Sequence, residues 1–369
     1  MTAYLLDGVR VPFGRLGGAL SGIPTVELGG LPVAELIRRH PIARTPDAAL
    51  MGVVVQAGLG QNPGRIAALR GGVADTTPGV TINSVCLASL EAVCDATRRI
   101  AFGEGGTYLV GGVDSMSQGP RELVLRDGLE DAVTRQSMGV VSDEQNRELG
   151  ISREDQDDWA HLSHQRAAAA RELLLRHEIV PVSTPAGEHR YDEGVRVKSS
   201  REALRALPSA FTEGGTLTAG NSSQMADGAS AGLVVGEEVL ERQGEAPLGR
   251  IVDWSFVAGP DTGLHLKPAR AIRRLLDRQQ LTVGDVDVYE INEAFAGVTL
   301  ASMRDLGLPA DVVNVHGGAV AIGHPLGASG FRLLLTAALA LQERGGRRAI
   351  ASLCGGGGQG LAVLLEAVA

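Results

Sequence analysis

The chain has little cysteine, few aromatics and no long apolar run. Three cysteines, Cys86, Cys94 and Cys354, are too few and too widely spaced for a disulfide framework or a zinc knuckle. Each thiol therefore needs its own explanation, and no metal is expected. Aromatic residues make up only 3%, so the core must be built from small and aliphatic side chains. No stretch reaches the length of a membrane span. The opening MTAYLLDGVRVPFG reads neither as a signal peptide nor as an arginine-rich presequence, and the closing LLEAVA carries no peroxisomal tripeptide. A cytoplasmic protein without membrane contact is the expectation. Positive charge is in deficit too: a net charge of −9 leaves no global field to hold nucleic acid, and a nucleotide-bearing ligand would need a local cationic patch.

Glycine, by contrast, is abundant, at 50 of 369 residues, a length that leaves room for two or three domains. Much of it gathers in loops between apolar runs. The stretch from Asn314 to Gly330, NVHGGAVAIGHPLGASG, delivers His324 directly in front of Pro325 and an apolar helix reading from Leu326 to Arg344. Gly317, Gly318, Gly323 and Gly327 permit sharp turns and close approach of the backbone to a ligand. At the N-terminal end of a buried helix, both burial and the helix dipole favour neutral imidazole, the form that accepts a proton. His324 is thus either a base or a core histidine capping its turn.

The order of elements repeats. In the first half Val80–Val85 reads as a strand with Cys86 at its end, Leu87 to Ile100 as a helix, and Thr107 to Gly111 as a strand leading to GGVDSMS. In the second half a strand at Asp287–Ile291 gives way to NEAFAG and a helix. The His324 loop and its helix follow, and a strand from Arg348 runs to CGGGGQG. The interval from Gln56 to Cys86 nearly matches that from Asn292 to His324, which suggests two like α/β halves. We assign residues 1–118 and 212–243 to the first half, 119–211 to a charge-rich insertion, and 244–369 to the second half. The insertion holds a long polar-faced helix opened by a Ser152–Asp155 capping pattern, and the basic run GVRVKSSR at Gly194–Arg201.

Cys86, at a strand-to-helix junction, is placed for a dipole-lowered thiol pKa, or simply for packing. Cys354 precedes Gly355–Gly358, whose N–H groups could converge on an oxyanion or merely form a tight turn. Cys94, on the helix that follows Cys86, has core spacing. Asn292 either caps the next helix or belongs to a site.

Taken together these stretches resemble the thiolases, the acetyl-CoA acetyltransferases and 3-ketoacyl-CoA thiolases, over essentially the whole chain. The resemblance runs through RVPFGRLGGAL, GQNPGR, INSVC, GGVDSMS, DEGVR, TAGNSSQMADGA, NEAFA, GGAVAIGHPLGASG and LCGGGGQG. It implies a layered α/β/α/β/α fold with an inserted loop domain covering CoA. It also implies Cys86 as acyl-accepting nucleophile, His324 as its base, and an oxyanion hole shared by His324 and a water on Asn292. Cys354 would be the acid/base at the α-carbon, the N–H groups of Cys86 and Gly356 a second oxyanion hole, and Arg196 a contact near the CoA nucleotide. The expected reaction is condensation of two acetyl-CoA or cleavage of acetoacetyl-CoA, with a degradative enzyme for longer chains or a non-catalytic complex subunit as alternatives. The only small molecules implied are acyl-CoA and CoA, with no cofactor; the expected assembly is a homodimer or homotetramer. Departures from the pattern are Leu87, bulky beside the thiol, a short loop after Met116, Ser137 in place of a histidine, His316 in place of an asparagine, and Asp253 and His265 around GLHLKPA. Leu87 and the short loop lean toward a small acyl group.

Overall fold

The computed structural model describes residues 1–368. Nine strands run β3-β2-β4-β5-β1-β6-β9-β8-β7 across one mixed sheet, and a tenth, Gly14–Arg15, pairs with β5. In chain order they are β1 (Ala3–Arg10), β2 (Ala48–Gly52), β3 (Gly79–Ile82), β4 (Thr107–Ser115), β5 (Ala226–Gly236), β6 (Gly249–Ala258), β7 (Val288–Ile291), β8 (Arg348–Gly355) and β9 (Gln359–Glu366). The repeat is visible in this order. Within each half the first strand lies innermost, and the two first strands, β1 and β6, pair antiparallel through Ala3–Leu5. β2 is parallel to β3 and β4, as β7 is to β8, and the remaining neighbours are antiparallel. Where the second half lacks a third strand, Val313 makes a single parallel bridge to Tyr289.

Alternation along the strands shows how the layers form. Leu361, Val363 and Leu365 of β9 join the central core with Leu90, Val93, Leu334 and Leu341, whereas Ala362 and Leu364 face a second core with Ile272 and Leu275. Likewise Tyr108 and Val110 face the centre, and Leu109 faces a third core with Val33 and Leu36. Each half of the sheet is therefore buried on both faces. Helices α3 (Ala88–Phe102) and α7 (Leu326–Arg344) fill the middle layer. The outer layers are α1 (Thr25–Arg39) with α2 (Pro63–Arg70) on one side, and α5 (Lys267–Gln279) with α6 (Ala296–Leu306) on the other. This is the five-layer α/β/α/β/α arrangement.

Several expected bounds shift. The strand before Cys86 ends at Ile82, because Asn83–Val85 form a turn in which Asn83 accepts the Val85 N–H. β4 continues past Gly111 to Ser115. Pro325 stands just outside α7 as its N-cap. The long helix of residues 119–211, α4 (Arg153–His177), opens with the expected Ser152–Asp155 capping box.

Two of the sequence motifs serve to dock that region. Arg10 of β1 is wholly buried, and its guanidinium grips Asp192 of the DEGVR run in a forked pair at 2.6 and 2.8 Å while also reaching Glu178. Between the central helices the approach is too close for side chains. A Cβ on Gly330 of α7 would lie 2.7 Å from the Leu90 nitrogen of α3, and one on Gly112 of β4 would lie 2.0 Å from the Gly327 carbonyl. Gly330→Ala should therefore destabilise the protein by about 1–3 kcal/mol by overpacking, read as a lower urea midpoint at unchanged slope.

Candidate active site

The N-terminal ends of α3 and α7 meet beneath a cavity of about 510 Å³ lined by Cys86, His324, Cys354, Gly356, Phe295 and Met138 among others. A second cavity, about 310 Å³, adjoins it and shares His324, Phe295, Met138 and Ser223. The structure thus brings Cys86, His324, Cys354 and Gly356 to one chamber. Asn292 stands directly behind His324, fully buried, with its Nδ2 at 3.3 Å from His324 Nε2. Arg196 is apart: its side chain is exposed on a loop whose backbone N–H bonds His164, and it lines neither cavity.

The backbone before Cys86 is forced. Val85 has φ +55°, a left-handed conformation that a β-branched residue rarely adopts. This turn aims the thiol into the chamber instead of continuing the strand. Burial pushes the Cys86 thiol up to about 12, opposed by hydrogen bonding to its own N–H, raised further by the nearby Asp114 carboxylate and opposed again by the Gly356 N–H. A dipole-lowered thiolate, one of the two readings of this position, is therefore not the resting form, because desolvation outweighs the partial charge of the helix terminus. The two groups that oppose the rise are both backbone N–H donors, those of Cys86 and Gly356. Cys354, only 1% exposed, is also held as a thiol, by burial first and then by the neighbouring Cys86.

His324 is pushed down to about 3 by burial, with Arg332 adding to the effect, so the imidazole is neutral. Its tautomer follows from its partners. With the Ser329 hydroxyl proton assigned to the Pro325 carbonyl at 2.8 Å, Ser329 Oγ accepts from His324 Nδ1 at 2.6 Å. Nδ1 therefore carries the proton and Nε2 presents a lone pair. The Asn292 amide, oriented to donate, is the compatible partner for that lone pair. This also removes the capping alternative for Asn292, since the N-cap of α6 is Phe295.

Sequence reasoning missed Asp114, Asp131 and Ser329 as supports. Asp114, fully buried at the end of β4, accepts from the N–H groups of Val54, Val55 and Gly327 and so ties the His324 loop to the first half. Burial raises it to about 7. A lone acid inside the apolar, glycine-rich run YLVGGVD was the available signal. Asp131 accepts from Gly357 at 3.2 Å and bridges residues 129–137 to the glycine turn.

Four suspected departures fall elsewhere. Leu87 does not narrow the chamber: its side chain is fully buried behind Gly355 and lines neither cavity. His265 is buried against Asn146, and Asp253 pairs with Arg278 on the surface of α5. His316 lies 3.0 Å from Glu343 of α7, as a support of its loop. Cys94 is fully buried in the core.

Comparison with known proteins agrees with this arrangement. The family model for the thiolase N-terminal domain matches residues 3–124 and 120–238, and that for the thiolase C-terminal domain matches 245–367. The chain belongs to the thiolase family. This thiolase is 39% identical to a probable acetyl-CoA acetyltransferase of Mycobacterium leprae, covering 100% of both chains. It is also 39% identical to a β-ketoadipyl-CoA thiolase of Escherichia coli, covering 99% of both. The crystal structure of the Bacillus anthracis acetyl-CoA acetyltransferase superposes with a TM-score of 0.94 at 33% identity, over 100% of this chain and 99% of that one. The thiolase is accordingly an acyltransferase, and acyl-CoA its class of substrate.

The protonation states carry a prediction. Iodoacetamide should label Cys86 well ahead of Cys94, and its rate should rise close to tenfold per pH unit from pH 7 to 9, since the thiolate remains a minor form throughout. Mass spectrometry of labelled peptides reads both; a plateau below pH 8 would mean a preformed thiolate.

Proposed function

We propose that this thiolase interconverts acetoacetyl-CoA plus CoA with two acetyl-CoA through an acetyl-Cys86 intermediate. The observation that carries the reading is a neutral His324, held through Nδ1 by Ser329, in the chamber that holds two cysteines. Curated relatives named acetyl-CoA acetyltransferases favour the short substrate.

In the cleavage direction, His324 Nε2 takes the Cys86 proton as the sulfur attacks the 3-keto carbonyl. The tetrahedral oxyanion on that carbon, which becomes the acetyl-Cys86 thioester oxygen, is held by the backbone N–H groups of Cys86 and Gly356, and the enolate oxygen that develops on the CoA thioester is held by His324 and by Asn292 acting through a water. As the C2–C3 bond breaks, the enolate of acetyl-CoA takes the Cys354 proton and leaves. Incoming CoA then gives its proton to the Cys354 thiolate and attacks acetyl-Cys86, whose departing sulfur recovers the proton from His324. All three groups end as they began. Burial supports this cycle by holding Cys354 in the acid form that cleavage uses first. Residues 119–211 form the cover, with Arg196 toward the CoA nucleotide, no cofactor is needed, and the assembly is a homodimer or homotetramer in the cytoplasm.

A second reading, a 3-ketoacyl-CoA thiolase for longer chains, is favoured by one observation. The larger cavity has an apolar wall of Leu129, Met138, Leu264, Phe295 and Leu326 with room beyond an acetoacetyl group, and Leu87 does not narrow it.

Thiolysis across 3-ketoacyl-CoA of four to eight carbons, with 3-oxoadipyl-CoA included, tests both. The proposal expects the highest kcat/KM at four carbons; a maximum at a longer chain moves the enzyme to the second reading. Cys86→Ala should lose all turnover. Cys354→Ala should lose carbon–carbon cleavage by about 10²–10⁴-fold yet still exchange acetyl groups between acetyl-CoA and labelled CoA.

A further inference from the structure

One buried charge near the chamber is given no role by the steps of the reaction above. Lys267, at the first turn of α5, is 1% exposed, and its ammonium donates to the carbonyls of Gly259 and Asp261 and to the Asp261 carboxylate at 2.9–3.0 Å. All three of its donors are thus spent on one short loop, Gly259–Thr262. An ammonium is costly to bury, and a position that only needed to fill space would hold an apolar side chain.

The loop it knots lies directly against the glycine turn after Cys354. The Gly259 N–H donates to the Gly358 carbonyl at 3.0 Å, and Gly358, at φ +71°, rests so near the Asp261 carbonyl that a Cβ would lie 2.1 Å from it. Two residues earlier in the same turn is Gly356, which lines the chamber with Cys86 and whose N–H opposes the rise of that thiol. Arg270 adds a second donor to the Gly259 carbonyl at 2.9 Å. From the other side the turn is held by Asp131 on Gly357. A run of four glycines has no side chains with which to fix its own shape, so its geometry must come from outside contacts.

We propose that Lys267 is a positioning residue for the reaction: by tying the Gly259–Thr262 loop, it holds the glycine turn so that the Gly356 N–H meets the thioester oxygen. Without the ammonium, two carbonyls and a carboxylate lose their common donor, the loop relaxes, and the turn it backs loses its support. The charge also opposes, after burial and Cys86 have raised it, the upward push on the Cys354 thiol. The inference rests on the proposed use of Gly356 as an oxyanion donor.

The test compares Lys267→Met, of similar length and uncharged, with Lys267→Arg, in the full-length protein. Active sites are counted by acetyl-Cys86 formation from radiolabelled acetyl-CoA, so misfolded molecules drop out of the comparison. For Lys267→Met the expected result is a fall of tenfold or more in kcat per counted site, a KM for CoA within twofold of the parent, and slower alkylation of Cys86 at pH 8. Lys267→Arg should recover a large part of both rates. An unchanged kcat per site and alkylation rate, even with a lower melting temperature, overturns the inference and leaves Lys267 a stabilising residue only. If Lys267→Met yields too little folded protein to count, Asp261→Asn, which weakens the knot while keeping the ammonium, must show the same pattern in milder form or the inference fails. Should Cys86→Ala retain turnover, the reading of the chamber is what fails, whatever the Lys267 variants do.

Discussion

The closeness of the two central helices is the constraint from which the site follows. Helices α3 and α7 cross with bare backbone at their contact, Gly330 against Leu90, and the start of α7 sits on β4 where Gly112 leaves space for the Gly327 carbonyl. Because the sheet covers these helices on both sides, their N-terminal ends cannot spread apart. Cys86 precedes one helix and His324 the other, so packing that serves stability also sets the reacting groups at the same end of the middle layer. The Ser89 hydroxyl receiving the Phe331 N–H and the Asp114 carboxylate receiving the Gly327 N–H pin the same junction with polar contacts. A buried carboxylate with a raised pKa is an expensive pin. Its position explains why it is there: no apolar side chain could satisfy Val54, Val55 and Gly327 together.

The same burial decides where protons rest. Desolvation holds both thiols protonated and the imidazole neutral, so Cys86, Cys354 and His324 carry no charge before substrate arrives. In the proposed cycle, charge develops only as acyl-CoA binds and the thiol proton moves to His324. The backbone donors of Cys86 and Gly356 are then already in place, and no solvent has to reorganise around them. Preorganised dipoles, more than a preformed thiolate, are the source of reactivity in this account.

Much of this was legible in the sequence, and the exceptions have physical causes. The halves, the helix after His324 and the capping box of α4 could be read because periodicity, glycine stops and Ser-x-x-Asp patterns are local signals. Cys86, His324, Asn292, Cys354 and Gly356 could be named only through the resemblance, since a thiol at a strand end or a histidine in a glycine loop is locally ambiguous. The sequence leaves the resting state of Cys86 open, because helix dipoles can be read from sequence and depth of burial cannot. Leu87 seemed to face the chamber but faces Gly355, because the left-handed turn at Val85 rotates the chain just before it. Asp114, Asp131 and Lys267 escaped notice because their partners lie far along the chain, joined by the sheet and not by the spacing of residues.

The central claim is that His324 is a neutral base whose free lone pair is on Nε2, set by Ser329. Nitrogen-15 shifts of the histidine rings, assigned by loss of signal in His324→Ala, test it most directly across pH 5 to 8. The account predicts one ring that keeps a protonated Nδ1 and a bare Nε2 over the whole range, and that changes tautomer in Ser329→Ala. A His324 ring protonated on Nε2, or doubly protonated at pH 7, would contradict it.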